Sequence, residues 1–257
     1  SRLLGGPQLW IKRDDQTGLA TGGNKTRKLE FSLGEALRQK ADTLVTLGAV
    51  QSNHCRQTAA AAARYGLRCI LVLRGFAPQT VTGNLLLDHL LGAQIVFSGE
   101  RTREETAEDV MEQERAAGRN PYLIPLGASN EVGAAGFVAA MEELDGQCKS
   151  TGLAFDRIVF GSSSAGTQAG MCVGQKPYLG AGYSIMGEPE REAIDLLAHQ
   201  EAILLDPVYT GRAMAGLIDL VRKGEFGKDE KILFWHTGGS AALYAYADQL
   251  LKKNSSD

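Results

Sequence analysis

This 257-residue chain lacks several things, and each absence narrows what it is. No apolar run is long enough to span a bilayer. The four cysteines, Cys55, Cys69, Cys148 and Cys172, stand far apart with no Cys-x-x-Cys pair. That spacing disfavours a disulfide framework or a zinc site and fits reduced thiols in a cytoplasmic protein. His89, His199 and His236 show no paired ligand spacing, so no metal is assigned. Neither charge dominates: the net charge is −3, which argues against nucleic acid or an anionic membrane as the main partner. There is no internal repeat and no low-complexity stretch. No signal peptide is visible, although the abrupt start at Ser1-Arg2-Leu3 fits a missing N-terminal piece. The P-loop is absent as well. Lys25-Thr26 follows two glycines, but that motif needs Gly directly before the Lys and another five residues earlier, where this chain has Asn24 and Leu19.

What is present is an ordinary globular composition, 44% hydrophobic and 22% charged. The patterning alternates strands and helices. Thr43–Gly48, Arg68–Leu73 and Gln94–Phe97 read as short buried strands, separated by helices over 52–65 and 81–91. Further strands are expected at 9–15, 122–125, 157–160 and 231–235. Further helices are expected at 131–144, 188–200, 211–223 and 240–252, with another after Gly166 ending near Gly174. Residues 102–118 form a heavily charged helix, expected to be a solvated outer layer only.

The most informative stretch is Thr21-Gly22-Gly23-Asn24-Lys25-Thr26-Arg27-Lys28-Leu29-Glu30. Leu29, Leu33, Ala36 and Leu37 lie on one helical face. Gly22-Gly23 forms a turn, and Asn24 is a good N-cap. Lys25 then sits in the first turn, where the helix dipole disfavours an ammonium. A lysine there can act as an amine nucleophile, its lone pair exposed by a depressed pKa. The same pattern also fits a solvated lysine with Arg27 and Lys28 as companions.

Two other junctions offer chemistry. Gly161-Ser162-Ser163-Ser164-Ala165-Gly166-Thr167 lies between a strand and a helix. The amides of Ala165, Gly166 and Thr167 and the hydroxyls of Ser164 and Thr167 suit a phosphate, though a tight capped turn has the same composition. It matches neither G-x-G-x-x-G nor the G-x-S-x-G elbow. Gln51-Ser52-Asn53-His54 marks another strand–helix junction. Ser52 or Asn53 caps the helix there, or Ser52, Asn53 and His54 hold a substrate carboxylate, with His54 as a pH-sensitive contact.

These segments, with Asp206-Pro207-Val208-Tyr209-Thr210-Gly211 and His236-Thr237-Gly238-Gly239, occur in an order that resembles one family over nearly the whole chain. It comprises the pyridoxal-phosphate enzymes that include D-cysteine desulfhydrase and 1-aminocyclopropane-1-carboxylate (ACC) deaminase. The resemblance implies an α/β fold like the tryptophan synthase β subunit (fold type II), with two parallel-sheet domains and flanking helices. A small domain of residues 30–136 would be inserted in a large one of residues 1–29 and 137–257. The cofactor would be pyridoxal 5'-phosphate, bound as a Schiff base by Lys25, with Asn53 at its phenolic oxygen and Thr210 at its pyridine nitrogen. Tyr209 would stack on the ring, and Tyr183 would be a second active-site tyrosine. Lys25, Ser52, Tyr209 and Tyr183 are the expected catalytic residues. The implied reaction removes the β-substituent of a small amino acid, D-cysteine first. ACC deamination and elimination from L-cysteate are rivals, and a catalytically inactive ligand-binding relative is the remote one. A homodimer is expected. The family also has a strand–helix–strand passage where this chain runs from Lys176 directly to Pro177, so residues are expected to be missing there.

Overall fold

The computed structural model describes residues 2–171 and 186–251. The expected break between Lys176 and Pro177, and Tyr183, lie outside the described residues. Two parallel sheets organise the rest. In one, β1 (Gln8–Arg13) pairs with β7 (Lys231–His236), which also pairs with β6 (Arg157–Phe160). In the other, β2 (Thr43–Gly48), β3 (Arg68–Leu73), β4 (Gln94–Phe97) and β5 (Pro121–Ile124) run in the order β4-β3-β2-β5. The strands of the second sheet all fall inside residues 30–136, and those of the first fall outside it.

Side chains alternate between the two faces of a strand, so a strand covered on both faces is apolar throughout. On β3, Leu71 and Leu73 pack with Leu29 and Leu33 of α1 (Lys25–Arg38) and with Ala59 and Ala62 of α2 (Asn53–Tyr65). Ile70 and Val72 face the other way, against Ala107, Val110 and Met111 of α4 (Arg103–Ala116). The charged sequence of α4 therefore hides a buried stripe, and the helix covers the sheet as well as facing water. β7 repeats the pattern. Ile232 and Phe234 meet α7 (Glu188–Glu201) and α8 (Thr210–Arg222). Leu233 and Trp235 meet Phe137 and Leu144 of α5 (Glu131–Thr151).

Two expected helices differ from the structure. α5 continues beyond residue 144 and stops only where Gly152 takes a left-handed backbone, φ 68°. Residues Ser240–Tyr246 wind as a 3₁₀ helix, and only Ala247–Leu251 is α-helical. The tighter winding follows Gly239 at φ 106°, whose carbonyl accepts from Ala242 three residues on. The remaining helices are α3 (Gly83–Leu90) and α6 (Gly166–Met171). Among the described residues, no helix is long and apolar enough to cross a membrane.

Candidate active site

Five strands, from both sheets, end at one cavity of about 390 Å³. Ala49 follows β2, Arg74 follows β3, Leu126 and Gly127 follow β5, Gly161 follows β6, and Thr237 and Gly238 follow β7; all line it. Clefts beyond the carboxyl ends of parallel strands are the usual ligand sites of such sheets.

Lys25 reaches this cavity because of the turn before it. Leu19, Ala20 and Thr21 adopt positive φ, and Gly22 follows at φ 67°. A Cβ on Gly22 would stand 2.0 Å from the Asp15 carbonyl oxygen, so only glycine fits. Left-handed backbone costs each non-glycine residue about 1–2 kcal/mol, and that strain sits directly before Lys25. Gly23 N donates to the Asp14 carbonyl at 2.8 Å, and Asp14 is clamped by Arg27, which also pairs with Glu143.

Asn24 is not a side-chain cap. Its backbone is helical (φ −59°, ψ −20°), and its amide donates instead to Thr167 Oγ1 at 3.1 Å. It thus ties the start of α1 to the start of α6. Lys25 lines the cavity, has no hydrogen-bond partner among the described residues, and is lowered to about 8 by burial. Arg27 and Lys28 are not solvated companions. Lys28 is fully buried, and its amine donates to Gly127 O and Ser129 Oγ, both at 3.2 Å. Burial, then the charge of Lys25, brings it down to about 7. By acidity alone Lys28 rivals Lys25. Access separates them, since Lys28 does not line the cavity and spends its amine on two acceptors. Lys12 is engaged by Glu143 and Gln147.

Ser163, Ser164, Ala165 and Thr167 line the cavity, with Gly166 buried directly behind. Ala165 is held at φ 59°. Ser164 Oγ lies 2.5 Å from Ser129 Oγ, which in turn meets Lys28. A Cβ at Gly166 would stand 2.7 Å from Lys28 Nζ and 2.6 Å from Ser129 Oγ. A bare backbone, three hydroxyls and a buried amine therefore make a cradle of the right chemistry for a phosphate.

On the opposite sheet, Ser52 caps α2, its hydroxyl accepting from Cys55 N at 3.2 Å. Ser52 and Asn53 also line the cavity, so capping and ligand contact coexist. Asn53 Oδ1 accepts from Arg56 at 3.0 Å and Asn84 at 2.9 Å. Both partners are donors there, which leaves the Asn53 NH₂ as the unengaged end. Arg56 also donates to the Gly22 carbonyl at 2.8 Å, linking Asn53 to the Lys25 turn.

His54 departs from expectation. Its ring is 3% exposed, with Nε2 2.8 Å from Thr46 Oγ1. Thr46 spends its one proton on Ile124 O at 2.8 Å, so His54 is the donor. Burial, then Lys25 and Lys28, hold His54 well below the usual imidazole range. It is a neutral wall, not a pH-sensitive carboxylate contact. Thr210 departs too. It is fully buried and outside the lining, and its hydroxyl donates to Asp206 Oδ1 at 2.7 Å, leaving no proton for a ring nitrogen. Asp206 also accepts from the amides of Val208 and Tyr209, so this pair sets the loop that brings half-buried Tyr209 to the cavity. His236 accepts from Gly238 N at 3.1 Å and shapes the neighbouring loop.

Sequence reasoning missed Lys28, Ser129, Arg74 and Arg103, the last two lining the cavity. A basic residue at the first position of α4, against the helix dipole, was the one available signal for Arg103.

The profile of a family described as pyridoxal-phosphate dependent enzyme matches residues 1–187. The chain belongs to this family. It is 40% identical over 298 residues to D-cysteine desulfhydrase of Serratia proteamaculans, covering 95% of this chain and 90% of the relative. It is 40% identical over 294 residues to D-cysteine desulfhydrase of Salmonella typhi, covering 94% and 89%. The Serratia alignment is longer than the 257-residue chain, so at least 41 of its positions face gaps here. A crystal structure of an ACC deaminase homologue superposes with a TM-score of 0.87 at 37% identity, covering 98% of this chain and 90% of the other. The apo form of Escherichia coli diaminopropionate ammonia lyase, 14% identical with a TM-score of 0.67 over 97% and 83%, shares the fold. The architecture is that of the fold type II pyridoxal-phosphate enzymes.

Proposed function

We propose that the protein is a pyridoxal-phosphate dependent lyase that eliminates the β-substituent of a small amino acid, D-cysteine giving pyruvate, ammonia and sulfide. The observation that carries this reading is the cavity itself. Among the described residues it presents an unpaired lysine amine of lowered pKa beside a phosphate cradle, and no Asp or Glu lines it. Bound there, pyridoxal phosphate supplies an aldehyde for the substrate amine and a ring that takes up electrons released at the α-carbon.

Each side chain then has a task. Lys25 holds the cofactor, yields to the substrate amine and moves the α-proton. The hydroxyls of Ser164 and Thr167 and the amides of Ala165 and Thr167 hold the phosphate against the bare backbone of Gly166, whose own amide donates to the Ser164 carbonyl at 2.8 Å, with Lys28 behind them. The NH₂ of Asn53 donates to the phenolic oxygen, and the first amides of α2 with the Ser52 hydroxyl receive the substrate carboxylate. Tyr209 covers the ring face and protonates the leaving thiolate, and Thr210 positions it through Asp206. Tyr183 is kept as the second tyrosine of the same reading. The proposed domain division remains 1–29 and 137–257 around 30–136, and the proposed setting is a cytoplasmic homodimer.

A carboxylate beside the ring nitrogen would strengthen the electron sink that ring opening of ACC needs. Among the described residues the lining offers none, whereas expulsion of a thiolate demands less. ACC deamination stands second, favoured by the 37% identical structural relative. The test supplies D-cysteine, L-cysteine and ACC separately and follows pyruvate, sulfide and 2-oxobutyrate. Sulfide and pyruvate from cysteine are expected; 2-oxobutyrate from ACC alone would overturn the reading.

A further inference from the structure

Arg56 is a fully buried cation that packing alone does not explain. Its hydrogen bonds go to three neutral oxygens: Asn53 Oδ1 at 3.0 Å, Asn84 Oδ1 at 2.7 Å and the Gly22 carbonyl at 2.8 Å. Asp88 and Asp206 act on its charge only from a distance. Among the described residues the Asp88 oxygens have no hydrogen-bond partner, and the Asp206 carboxylate is occupied by Val208, Tyr209 and Thr210. A buried charge is costly unless it is paired, and a neutral amide could serve neutral acceptors. The guanidinium therefore has a use beyond filling its place.

That use is legible in what the guanidinium joins. Nη1 holds Asn53, on the cavity wall, and Nη2 holds Gly22, three residues before Lys25. The aldehyde carbon and the phenolic oxygen of pyridoxal phosphate sit on neighbouring ring carbons. Lys25 and Asn53 must therefore be held in register with each other, and one planar fork sets that span. Asn84 completes the frame. Its NH₂ donates to Asn53 Oδ1 at 2.9 Å and to the Gln51 carbonyl at 2.8 Å. A Cβ on Gly83, at φ 59°, would stand 2.4 Å from Gln51 Oε1, so the backbone there is shaped around this contact. Asn53 Oδ1 thus takes two donors, one of them charged. A charged donor on an amide oxygen polarises the amide and makes its NH₂ a stronger donor.

We propose that Arg56 is a positioning residue of this enzyme: its fork sets the span between Asn53 and the Lys25 turn, and its charge, relayed through the Asn53 amide, keeps the cofactor's phenolic oxygen anionic. This rests on the lyase reading above. Arg56 does not line the cavity, so it acts through Asn53. Burial lowers its pKa only to about 10, so the charge is present at neutral pH. A cation relayed to the ring oxygen favours loss of a proton from the bound cofactor. The pH at which the visible absorbance of the cofactor changes is therefore set low, and removing the charge raises it.

The test titrates holoenzyme from about pH 6 to about pH 10, following visible absorbance, with cofactor affinity and chemical denaturation measured alongside. Arg56→Gln retains an amide donor and removes the charge. Its absorbance transition is expected to rise by about one pH unit, and its cofactor dissociation constant by about tenfold. Arg56→Lys restores most of the transition but not the affinity, because the charge returns without the fork. In the Asn53→Ala background, Arg56→Gln moves the transition by less than half as much, since the relay is already cut. A purely structural Arg56 would lower stability and leave the transition in place, and that result overturns the proposal. An equal shift with and without Asn53 overturns the relay, as does Arg56→Lys shifting as far as Arg56→Gln. If Arg56→Gln does not fold, isosteric Asn84→Asp sets a carboxylate against the same guanidinium and raises the transition as well; an unmoved transition there overturns the proposal. Wild type that binds no pyridoxal phosphate overturns the lyase reading and the proposal together, whereas wild type that binds it, with Arg56→Gln unmoved, overturns the proposal alone.

Discussion

Replacing Lys28 with Met removes the buried cation from behind the phosphate cradle and little else. The side chain is fully buried, and Met fills a similar space. Gly127 O, one of the two acceptors, keeps the Ser129 hydroxyl at 3.3 Å, so no carbonyl is orphaned. The cost therefore falls on cofactor binding. A charge-assisted contact is worth about 1.5–3 kcal/mol, so the dissociation constant for pyridoxal phosphate rises roughly ten- to hundredfold. The pH dependence is more specific. Without cofactor Lys28 titrates at about 7, because burial and Lys25 oppose its charge. A phosphate beside it restores the charge and raises that pKa, so above pH 7 binding takes up a proton and affinity falls as pH rises. Lys25 has the opposite effect, since its amine attaches the cofactor only when neutral and titrates at about 8. Below pH 8 affinity therefore rises with pH, and the wild type binds best between 7 and 8. In Lys28→Met the alkaline decline disappears and the acid limb remains. The assay is titration of apoenzyme with cofactor, followed by visible absorbance, from about pH 6 to about pH 9.5. An unchanged alkaline limb would refute the placement of Lys28 behind the phosphate.

Two further outcomes follow from packing and burial. In Gly166→Ala the new methyl meets Lys28 Nζ at 2.7 Å and Ser129 Cα at 2.9 Å, so cofactor affinity drops by at least about tenfold, with about 1–3 kcal/mol of overpacking cost in chemical denaturation; wild-type affinity would show that the cradle is elsewhere. Asp88 is fully buried, both its oxygens lack partners, and burial raises it to about 7. The native state holds its proton longer than the unfolded chain, so its contribution to stability is lost as pH rises from about 4 to about 7. Asp88→Asn is therefore about 1–3 kcal/mol more stable than wild type at pH 8 and no more stable at pH 4, by calorimetry; a less stable variant at pH 8 would mean that Asp88 is paired.

The strands were legible because β-branched, apolar runs ended at turn residues, and Gly66 closed α2 as expected, in a left-handed cap at φ 68°. Lys25, the Ser164–Thr167 turn, Ser52, Asn53 and Tyr209 were legible as motifs in order, and the fold brings them to one cavity. The rest depended on tertiary partners that no local pattern reveals. Arg27 and Lys28 look like surface charge, yet one is clamped between Asp14 and Glu143 and the other is enclosed by Gly127 and Ser129. Arg103 was hidden by the charge of α4, whose amphipathic stripe of Ala107, Val110 and Met111 is short. His54 and Thr210 were placed by sequence position alone. Thr46 then engages His54 Nε2, and Asp206 the Thr210 hydroxyl.

The central claim is that Lys25, and not the still more acidified Lys28, carries the cofactor. Borohydride reduction of holoenzyme, followed by mass spectrometry of the peptides, tests it directly. The cofactor mass is predicted on Lys25, with Lys25→Ala losing both the visible absorbance and the reducible adduct. An adduct on Lys28, or one that survives in Lys25→Ala, would contradict the account.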